Sequence, residues 1–226
     1  MIKEIHELLI EAAKDYKYLL NRGYPQKSSL DLVISRYRLS KYERLLLYRC
    51  VHSDDLCRII KGKKVHPSDI KNQLLIIDGY NVLLTILTGI KREPLYLCDD
   101  GFLRDLRGAQ PRSCEYDLLT QVAEFIKYSI TKLKPRKVII ILDENVSRSK
   151  VHSEMLKQKI ESKEYELEVK LCKKADKEAL TIKEGIVSSS DIVILQHAEK
   201  VFDLAAFVIN ELKKRNFHIE LYELKI

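Results

Sequence analysis

The stretch Leu74-Leu75-Ile76-Ile77-Asp78-Gly79-Tyr80-Asn81 joins four consecutive aliphatic residues to an acid and a glycine. Short apolar runs bounded by turn residues are typical of strands that are buried on both faces of a parallel sheet. Asp78 then lies at the carboxyl end of its strand, the edge where open α/β sheets bind ligands. Asn81 falls on the first turn of the following helix, close to Asp78. The alternative is that Asp78 only caps that helix, because Asp is a favoured N-cap residue.

The rest of residues 73–226 alternates strand and helix patterns. A second apolar run, 138–142, also ends in an acid, Asp143. The spacing of apolar residues further predicts helices at 115–133, 149–160, 175–182 and 201–212, and strands at 167–171 and 219–222. Alternating strands and helices predict an α/β fold in which a parallel sheet carries helices on both faces. Right-handed crossovers then place the strand ends on one edge.

Two further acids are expected at this edge. Asp176 begins the helix that follows the 167–171 strand, and Asp191 follows Ile186-Val187 and three serines. Four carboxylates at one edge, with Asp78 and Asp143, repel one another and raise each other's pKa. Mg²⁺ or Mn²⁺ removes this conflict because both ions take oxygen ligands. Such an ion activates water and neutralises charge on a phosphate, so the pattern predicts a site for phosphoester chemistry.

Several acids and histidines leave alternatives open. Asp191 lies only 15 residues after Asp176, so it can instead begin a strand of its own. One acid of the segment Asp99-Asp100-Gly101-Phe102-Leu103-Arg104-Asp105 can replace another in the site. His152 and His197 are expected to be structural or surface residues, since a lone histidine usually is. Asp203 is expected to face solvent on the last helix. These alternatives concern which side chains complete the site.

The sequence of residues 1–66 predicts a small all-α module. Its apolar spacing predicts a first helix at 4–20, which Gly23 and Pro25 end. Ser28 or Ser29 is expected to cap a second helix. Ser40 is expected to cap a third, with Glu43 completing a capping box.

The positive charge of the chain is concentrated in this front part. Residues 1–72 hold 15 Lys+Arg against 9 Asp+Glu, a balance of +6 within a total of +7. The basic segment 61–72 contains Gly62 and Pro67 and is the predicted linker. The expected domains are therefore a basic helical module at 1–66 and an α/β domain at 73–226. A basic module beside an acidic site favours a polyanionic partner.

Cations and aromatic rings are interleaved in the second half of the module. Cations hold phosphates, and tyrosine rings stack on bases, so RNA or another single-stranded nucleic acid is the expected partner. The alternative is that the tyrosines pack in the core and the arginines are only solvated. The residues concerned are Arg36, Arg38 and Arg44, with Tyr37, Tyr42 and Tyr48.

The composition and the missing motifs exclude several classes of protein. With 46% hydrophobic and 32% charged residues, the chain is expected to fold. No apolar run approaches the ~20 residues of a membrane span, and the N-terminus lacks a signal-peptide core, so a cytoplasmic protein is expected. The lysine-bearing phosphate loop of nucleotide triphosphatases is missing. Five scattered cysteines predict free thiols, and Cys50 and Cys57 are expected to be buried thiols rather than zinc ligands.

Motifs of two families are present in order along the chain. Ile77-Asp78-Gly79-Tyr80-Asn81-Val82 resembles the opening motif of PIN-like nucleases of the NYN group. Ile141-Leu142-Asp143, Ala175-Asp176 and Val187-Ser188-Ser189-Ser190-Asp191 resemble the later acidic motifs of that group. The N-terminal segments at 19–25, 36–39 and 43–44 resemble an archaeal family called domain of unknown function 434. Together these resemblances cover most of the chain.

The resemblance implies a PIN-like, Rossmann-like fold and a metal-dependent endoribonuclease. In that group the acids bind Mg²⁺ or Mn²⁺ and water attacks the phosphodiester bond. Carried over, the ligands, direct or through water, are Asp78, Asp143, Asp176 and Asp191. The alternatives are a non-catalytic nucleic-acid-binding protein of the same fold, and a DNA-directed or flap-type nuclease. A homodimer is left open.

The same resemblance implies roles for residues around the acids. Asn81 would orient Asp78, and Ser189 and Ser190 would contact phosphate or hold the fourth acid. Independently of the resemblance, the position of Arg148 after the second acid predicts a phosphate clamp, and the alternative is a solvated helix start. The arginines of the helical module would bind RNA.

Overall fold

The structure is a computed structural model that describes residues 2–3, 6–107, 111, 113–182 and 184–226. The helices in these ranges are α1 Glu7–Asn21, α2 Gln26–Tyr37, α3 Lys41–Cys50, α4 Asp54–Lys63, α5 Gly79–Ile90, α6 Tyr116–Leu133, α7 Ser149–Ile160, α8 Ala175–Thr181, α9 Ile192–His197 and α10 Leu204–Lys214. The strands are β1 Ile2–Lys3, β2 Leu74–Asp78, β3 Leu95–Leu97, β4 Leu103–Arg104, β5 Lys137–Asp143, β6 Glu166–Cys172, β7 Ile186–Ser188 and β8 Leu221–Glu223. Short 3₁₀ turns lie at Pro67–Ile70 and Ser113–Glu115.

The main sheet is parallel, as the sequence predicts. Its four strands run in the order β6-β5-β2-β7. In the register, Asp78 pairs with Ile141 of β5, and Ile77 pairs with Ser188 of β7. The strand β2 therefore has a neighbour on each side, which explains why its residues 75–78 are all buried. The carboxyl ends of these four strands form one edge.

Helices cover both faces of this sheet, which confirms the α/β prediction. Leu75 and Ile77 of β2 belong to an apolar cluster with residues of α5, α6, α7 and α10. Ile76 points to the other face, where it packs with residues of α4, α8 and α9. The alternation follows from the period of two in a strand. Apolar residues on both sides of β2 are thus needed to bury the sheet.

A second sheet, which the sequence analysis does not predict, lies between the main sheet and the N-terminal helices. Its order is β1-β8-β3-β4, with β3 and β4 antiparallel. The last strand, predicted within the main sheet at 219–222, is Leu221–Glu223 and belongs here. Helices α1 to α3 pack on this sheet through a cluster that includes Tyr16 and Leu47 from the helices and Tyr96 and Leu224 from the other side.

The N-terminal module differs from its prediction at the second helix and after the third. Helix α2 begins at Gln26, directly after Pro25, so neither Ser28 nor Ser29 is its cap. Helix α3 has the predicted capping box. A further helix, α4, begins after Ser53 and places Ile60 in the cluster on the second face of the main sheet. Helix α4 was missed because its apolar stripe is short and is followed by a basic run.

The predicted linker at 61–72 is mostly ordered. Lys61–Lys63 forms the end of α4, and the 3₁₀ turn Pro67–Ile70 buries Ile70 completely. Division of the chain into domains at 1–66 and 73–226 stays a prediction. Within the described ranges, no helix is both long and apolar enough to cross a membrane.

The prediction that Asp203 faces solvent is wrong. Helix α10 begins at Leu204 rather than at 201, and Asp203 is its N-cap residue, accepting a hydrogen bond from Ala206 N at 2.8 Å. Its other oxygen accepts from Leu103 N at 2.8 Å. These bonds fix β4 against the start of α10, and the carboxylate that makes them is buried.

Gly79 offers a test of the contact between β2, α5 and β5. An added Cβ would lie 2.5 Å from Leu142 Cδ2 and 2.9 Å from the backbone oxygen of Ile141. Because a backbone oxygen cannot move aside cheaply, Gly79→Ala should lower the free energy of unfolding by about 1–3 kcal/mol, measured by urea denaturation. Gly62→Ala is the matched control, since a Cβ there meets nothing within 4 Å. It should stabilise helix α4 by about 0.5–1 kcal/mol, and equal effects of the two substitutions would contradict the close approach.

Candidate active site

The Asp78 carboxylate lies at the end of β2 and is held from two sides. Its Oδ2 accepts a hydrogen bond from Ser189 Oγ at 2.7 Å and from Asn81 Nδ2 at 2.6 Å. Its Oδ1 accepts no hydrogen bond from the residues that the structure describes. Asp78 occupies the N-cap position of α5, but its side chain makes no capping bond. The alternative that Asp78 only caps the helix is therefore wrong.

Asp143, the last residue of β5, and Asp191, which follows β7, are each fixed by residues two or three positions further along the chain. Asp143 Oδ1 accepts from the backbone N and from Nδ2 of Asn145, each at 2.8 Å. Asp191 Oδ1 accepts from Val193 N at 2.8 Å and Ile194 N at 3.2 Å, which caps helix α9. Asp191 thus begins a helix rather than a strand, and the short spacing after Asp176 leaves room for it. In both acids Oδ2 receives no hydrogen bond from a described residue.

All four predicted acids line one pocket. The pocket has a volume of about 200 Å³ and is lined by Asp78, Tyr80, Asn81, Asp143, Val146, Ala175, Asp176 and Asp191. Asp176 is exposed on the first turn of α8. The pocket lies at the carboxyl end of β2. The chain continues from β2 to β5 on one side and later adds β7 on the other side, and ligands usually bind where the strand order reverses in this way.

The four carboxylates do not form a tight cluster. Among the described residues, no three of them bring ligand oxygens within 4.8 Å of one another. A hard cation such as Mg²⁺ keeps several of its waters, so a wider group of acids can hold it partly through water. The geometry therefore fits an open site with few direct protein ligands.

The pocket is electrostatically unbalanced. Burial raises the pKa of Asp78 to about 6, although the hydrogen bonds of Ser189 and Asn81 lower it, and the charges of Asp191 and Asp176 raise it further. Within the described part of the chain, no ion pair includes any of the four acids. No cation of the described residues therefore neutralises the negative charge of the pocket.

The loop after β7 is held by a residue that sequence reasoning missed. Ser189 Oγ accepts from Asp191 N at 3.0 Å while donating to Asp78. The buried Arg104 donates through Nε to the carbonyl oxygen of Ser190 at 2.8 Å. Arg104 also forms a bidentate pair with Asp100. Ser190 is buried and does not line the pocket. No local signal marks Arg104, because its burial arises only from tertiary packing.

The predicted arginines do not line the acidic pocket. Arg148 precedes α7 in a left-handed conformation, with φ of 62°, and is exposed. Arg36 lies 3.6 Å from Asp15, and Arg44 lies 3.0 Å from Asp31, both on the N-terminal helices. Arg38 ends α2 in a left-handed conformation. Any nucleic acid that these residues bind would contact the protein outside the acidic pocket.

The other acids left open by the sequence are occupied elsewhere. Asp99 bonds His52, Asp100 bonds Arg104, and Asp105 accepts from Thr85 Oγ1 at 2.8 Å. None of the three lines the acidic pocket. The segment therefore ties β3 and β4 to their neighbours.

The two histidines behave as expected from the sequence. His152 is buried, its Nδ1 lies 3.0 Å from Tyr80 Oη, and burial lowers its pKa. His197 is exposed at the end of α9 and donates from Nδ1 to the Val193 carbonyl at 2.8 Å. Neither lines the acidic pocket.

Comparison with known proteins gives two families and one relative. Residues 67–207 match the family described as Domain of unknown function (DUF5616), and residues 8–63 match the family described as Protein of unknown function (DUF434). The second match confirms the resemblance of the N-terminal segments. An uncharacterized protein of Methanocaldococcus jannaschii is 36% identical over 208 residues, which span 91% of this chain and 99% of that protein. No solved structure matches, so the PIN-like identity stays a prediction.

The raised pKa of Asp78 makes a prediction for stability. Because the folded pKa, about 6, exceeds that of an exposed Asp, the folded protein holds the extra proton between the two values. The contribution of Asp78 to stability is therefore lost as the pH rises through 6. Asp78→Asn should raise the free energy of unfolding by about 2 kcal/mol at pH 8 and hardly change it at pH 4, measured by urea denaturation in EDTA.

The matched control for this measurement is Asp55→Asn. Its side chain is 82% exposed, and among the residues that the structure describes it forms an ion pair only with Arg58. The control should change the free energy of unfolding by less than about 0.5 kcal/mol at either pH. A stability difference between wild type and Asp78→Asn that is the same at pH 4 and pH 8 would show that burial does not perturb this carboxylate.

Proposed function

The chain belongs to the family described as Domain of unknown function (DUF5616), and we propose that it is a PIN-like, metal-dependent endoribonuclease acting at the acidic pocket. One observation carries the proposal: four carboxylates from different elements line one pocket at the carboxyl edge of a parallel sheet, without a partner cation among the described residues. The fold alone carries no function, because similar sheets serve many reactions. The argument rests on the chemistry of these acids.

The donor set of the pocket fits Mg²⁺ or Mn²⁺. The charged groups that line it are carboxylates, and hard cations prefer oxygen ligands. Asp78 and Asp143 each have one oxygen that takes no hydrogen bond from a described residue, and so does Asp191. Asp176 is exposed at the mouth of the pocket. When bound, the ion would supply an activated water and neutralise charge on the phosphate.

The protein residues would orient the reacting groups. Ser189 and Asn81 both hold Oδ2 of Asp78, so the side chain cannot rotate freely and Oδ1 keeps one direction. Tyr80 and Val146 supply the walls of the pocket, and Tyr80 is itself fixed by His152. Pre-oriented groups lower the reorganisation needed during reaction. Arg148, at the same end of the sheet, would hold a phosphate of the RNA.

A groove on the N-terminal helices is the proposed RNA contact. It has a volume of about 660 Å³ and is lined by Gln26, Lys27, Leu30, Lys41, Arg44, Leu45 and Tyr48. The Tyr48 side chain is half exposed, so its ring is accessible to a base. Lys27 and Lys41 are exposed and form no ion pair with described residues, which leaves them for phosphates. Stacking on rings and cation contacts together are typical of single-strand binding.

Cleavage should depend on Asp78. With Mn²⁺ present, Asp78→Asn should reduce cleavage of a pooled single-stranded RNA by about a hundredfold or more, because the variant loses the charge that holds the cation. Circular dichroism should show that the variant is folded. EDTA should abolish cleavage by the wild type, and the exposed Asp55→Asn should cleave as the wild type does.

The same assay separates the alternatives. A DNA strand of the same sequence, run in parallel, identifies a DNA-directed nuclease if it is the better substrate. RNA that is bound but never cleaved, with Mg²⁺ or with Mn²⁺, identifies a non-catalytic nucleic-acid-binding protein. Unchanged cleavage by Asp78→Asn contradicts the proposed reaction at this pocket.

RNA binding should depend on the groove cations. The double substitution Lys27→Glu and Lys41→Glu should weaken binding of a single-stranded RNA about tenfold and reduce the slope of log affinity against log salt by about 1–2. Fluorescence anisotropy at several salt concentrations measures both. The control is Lys157→Glu with Lys163→Glu, which makes the same charge change at exposed positions on α7 and the loop after it. Equal losses for both pairs would indicate a general charge effect and no groove contact.

A further inference from the structure

Three potential metal ligands meet at the contact between the N-terminal helices and the second sheet. They are His52, in the connection between α3 and α4, Cys57 on α4, and Asp99, which follows β3. One ligand atom from each lies within 4.8 Å of the other two. All three side chains are nearly inaccessible, with exposures of 3% for His52 and 4% for Asp99 and Cys57. None lines the acidic pocket.

We propose that His52, Cys57 and Asp99 bind a thiophilic transition-metal ion such as Zn²⁺, which joins the N-terminal helices to the β3–β4 turn. Imidazole nitrogen, thiolate sulfur and carboxylate oxygen are the three donor types that Zn²⁺ takes in proteins, and a water completes a tetrahedral site. The acidic pocket, whose charged groups are carboxylates, selects a harder ion. The two sites would therefore hold different metals.

The Asp99 carboxylate is oriented for this role. Its Oδ2 accepts from His52 N at 2.8 Å and from Lys17 Nζ at 3.3 Å. Oδ1 lies 2.9 Å from His52 Nδ1. An ion between these two atoms would replace the hydrogen bond that joins them, and the neutral imidazole would carry its proton on Nε2. Outer contacts of this kind, here from Lys17 and the His52 backbone, fix the direction of a ligating carboxylate.

The charges balance when the ion is bound. Cys57 is a free, buried thiol beside Asp99, and a thiol must lose its proton to bind a metal ion. Metal binding releases that proton to solvent and forms the metal–sulfur bond. Lys17, which contacts Asp99, is also paired with Asp54 at 3.0 Å. With the Lys17 charge assigned to Asp54, the thiolate and Asp99 supply two negative charges, which a divalent ion neutralises. The neighbouring acid, Asp100, is already compensated by Arg104.

A cavity lies beside the site. It has a volume of about 710 Å³ and is lined by Asp99, Lys17, Asp54 and residues of the C-terminal segment 223–226. Asp99 is thus both a member of the cluster and part of the wall of this cavity. Sequence reasoning set Cys57 aside because no histidine pair lies near it in the chain. One histidine, His52, lies five residues before Cys57 in the chain, and the fold brings in Asp99 in place of a second histidine.

The test uses the full chain, which is stripped of metal with EDTA and then titrated with Co²⁺. Co²⁺ can take the place of Zn²⁺, and it gives a near-ultraviolet charge-transfer band when a thiolate is among its ligands. The wild type should show this band at one equivalent, and Zn²⁺ should remove it. Cys57→Ser should abolish the band. Cys114→Ser, which changes an exposed thiol, should keep it. A wild type without the band would overturn the proposal.

Two further variants fix the position of the ion. His52→Asn and Asp99→Asn should each weaken Co²⁺ binding at least about tenfold. Cys172 follows Leu171 at the end of β6, and it pairs in register with Asp143 of the acidic pocket. If Cys172→Ser removes the band and Cys57→Ser keeps it, the ion binds at the acidic pocket and the proposal is wrong. Asp78→Asn should keep the band, so this result is independent of the nuclease proposal.

Folding of each variant is followed by thermal unfolding in EDTA. Zn²⁺ should raise the melting temperature of the wild type, because an ion that binds only the folded chain stabilises it. It should not raise that of Cys57→Ser. If Cys57→Ser fails to fold, Asp99→Asn, which preserves the shape of the side chain, decides the question through the same two measurements. An unchanged cobalt affinity in Asp99→Asn would overturn the proposal.

Discussion

The acidic pocket is arranged around one constraint, the burial of the Asp78 carboxylate at the end of the central strand. A buried charge is costly unless it is hydrogen-bonded or paired. Here the cost is offset by Ser189 and Asn81, which come from the loop after β7 and from α5. Both bonds go to Oδ2, so the compensation is partial. Asp78 is thus a buried, incompletely compensated acid at the edge where such sheets bind ligands. Acids with a perturbed pKa in this position are expected at functional sites.

The order of strands explains how distant acids reach this position. Because β2 lies between β5 and β7, Asp78, Asp143 and the loop before Asp191 extend from neighbouring strands in the same direction. Asp176 reaches the pocket from the start of α8, after the edge strand β6. Each acid has a local reason for its conformation, such as the helix cap of Asp191. The four acids converge because the parallel strands all end at the same edge of the sheet.

Local sequence patterns were enough to predict the two buried strands that consist of long apolar runs. The strands at 74–78 and 137–143 and the four acids of the pocket follow from such runs and from the strand ends. The second sheet was not predicted as a sheet. Its last strand was predicted but assigned to the main sheet, and its strands of two residues give no periodic signal. The burial of Asp203 and Arg104 was also hidden, since both are buried through partners that are distant in the chain.

The turn between β3 and β4 connects the N-terminal helices with the loop after β7, through two residues that are adjacent in the chain. Asp99 faces the N-terminal helices, where it bonds His52 and Lys17, whereas Asp100 bonds Arg104, which holds the Ser190 carbonyl. A buried ion pair such as Asp100–Arg104 contributes little net stability, because desolvation offsets its attraction. Its geometric effect is larger, since a bidentate guanidinium has one orientation. The loop after β7, which holds Asp78, is therefore positioned by Arg104. The partner of Arg104, Asp100, is the neighbour in the chain of Asp99, which contacts the N-terminal helices.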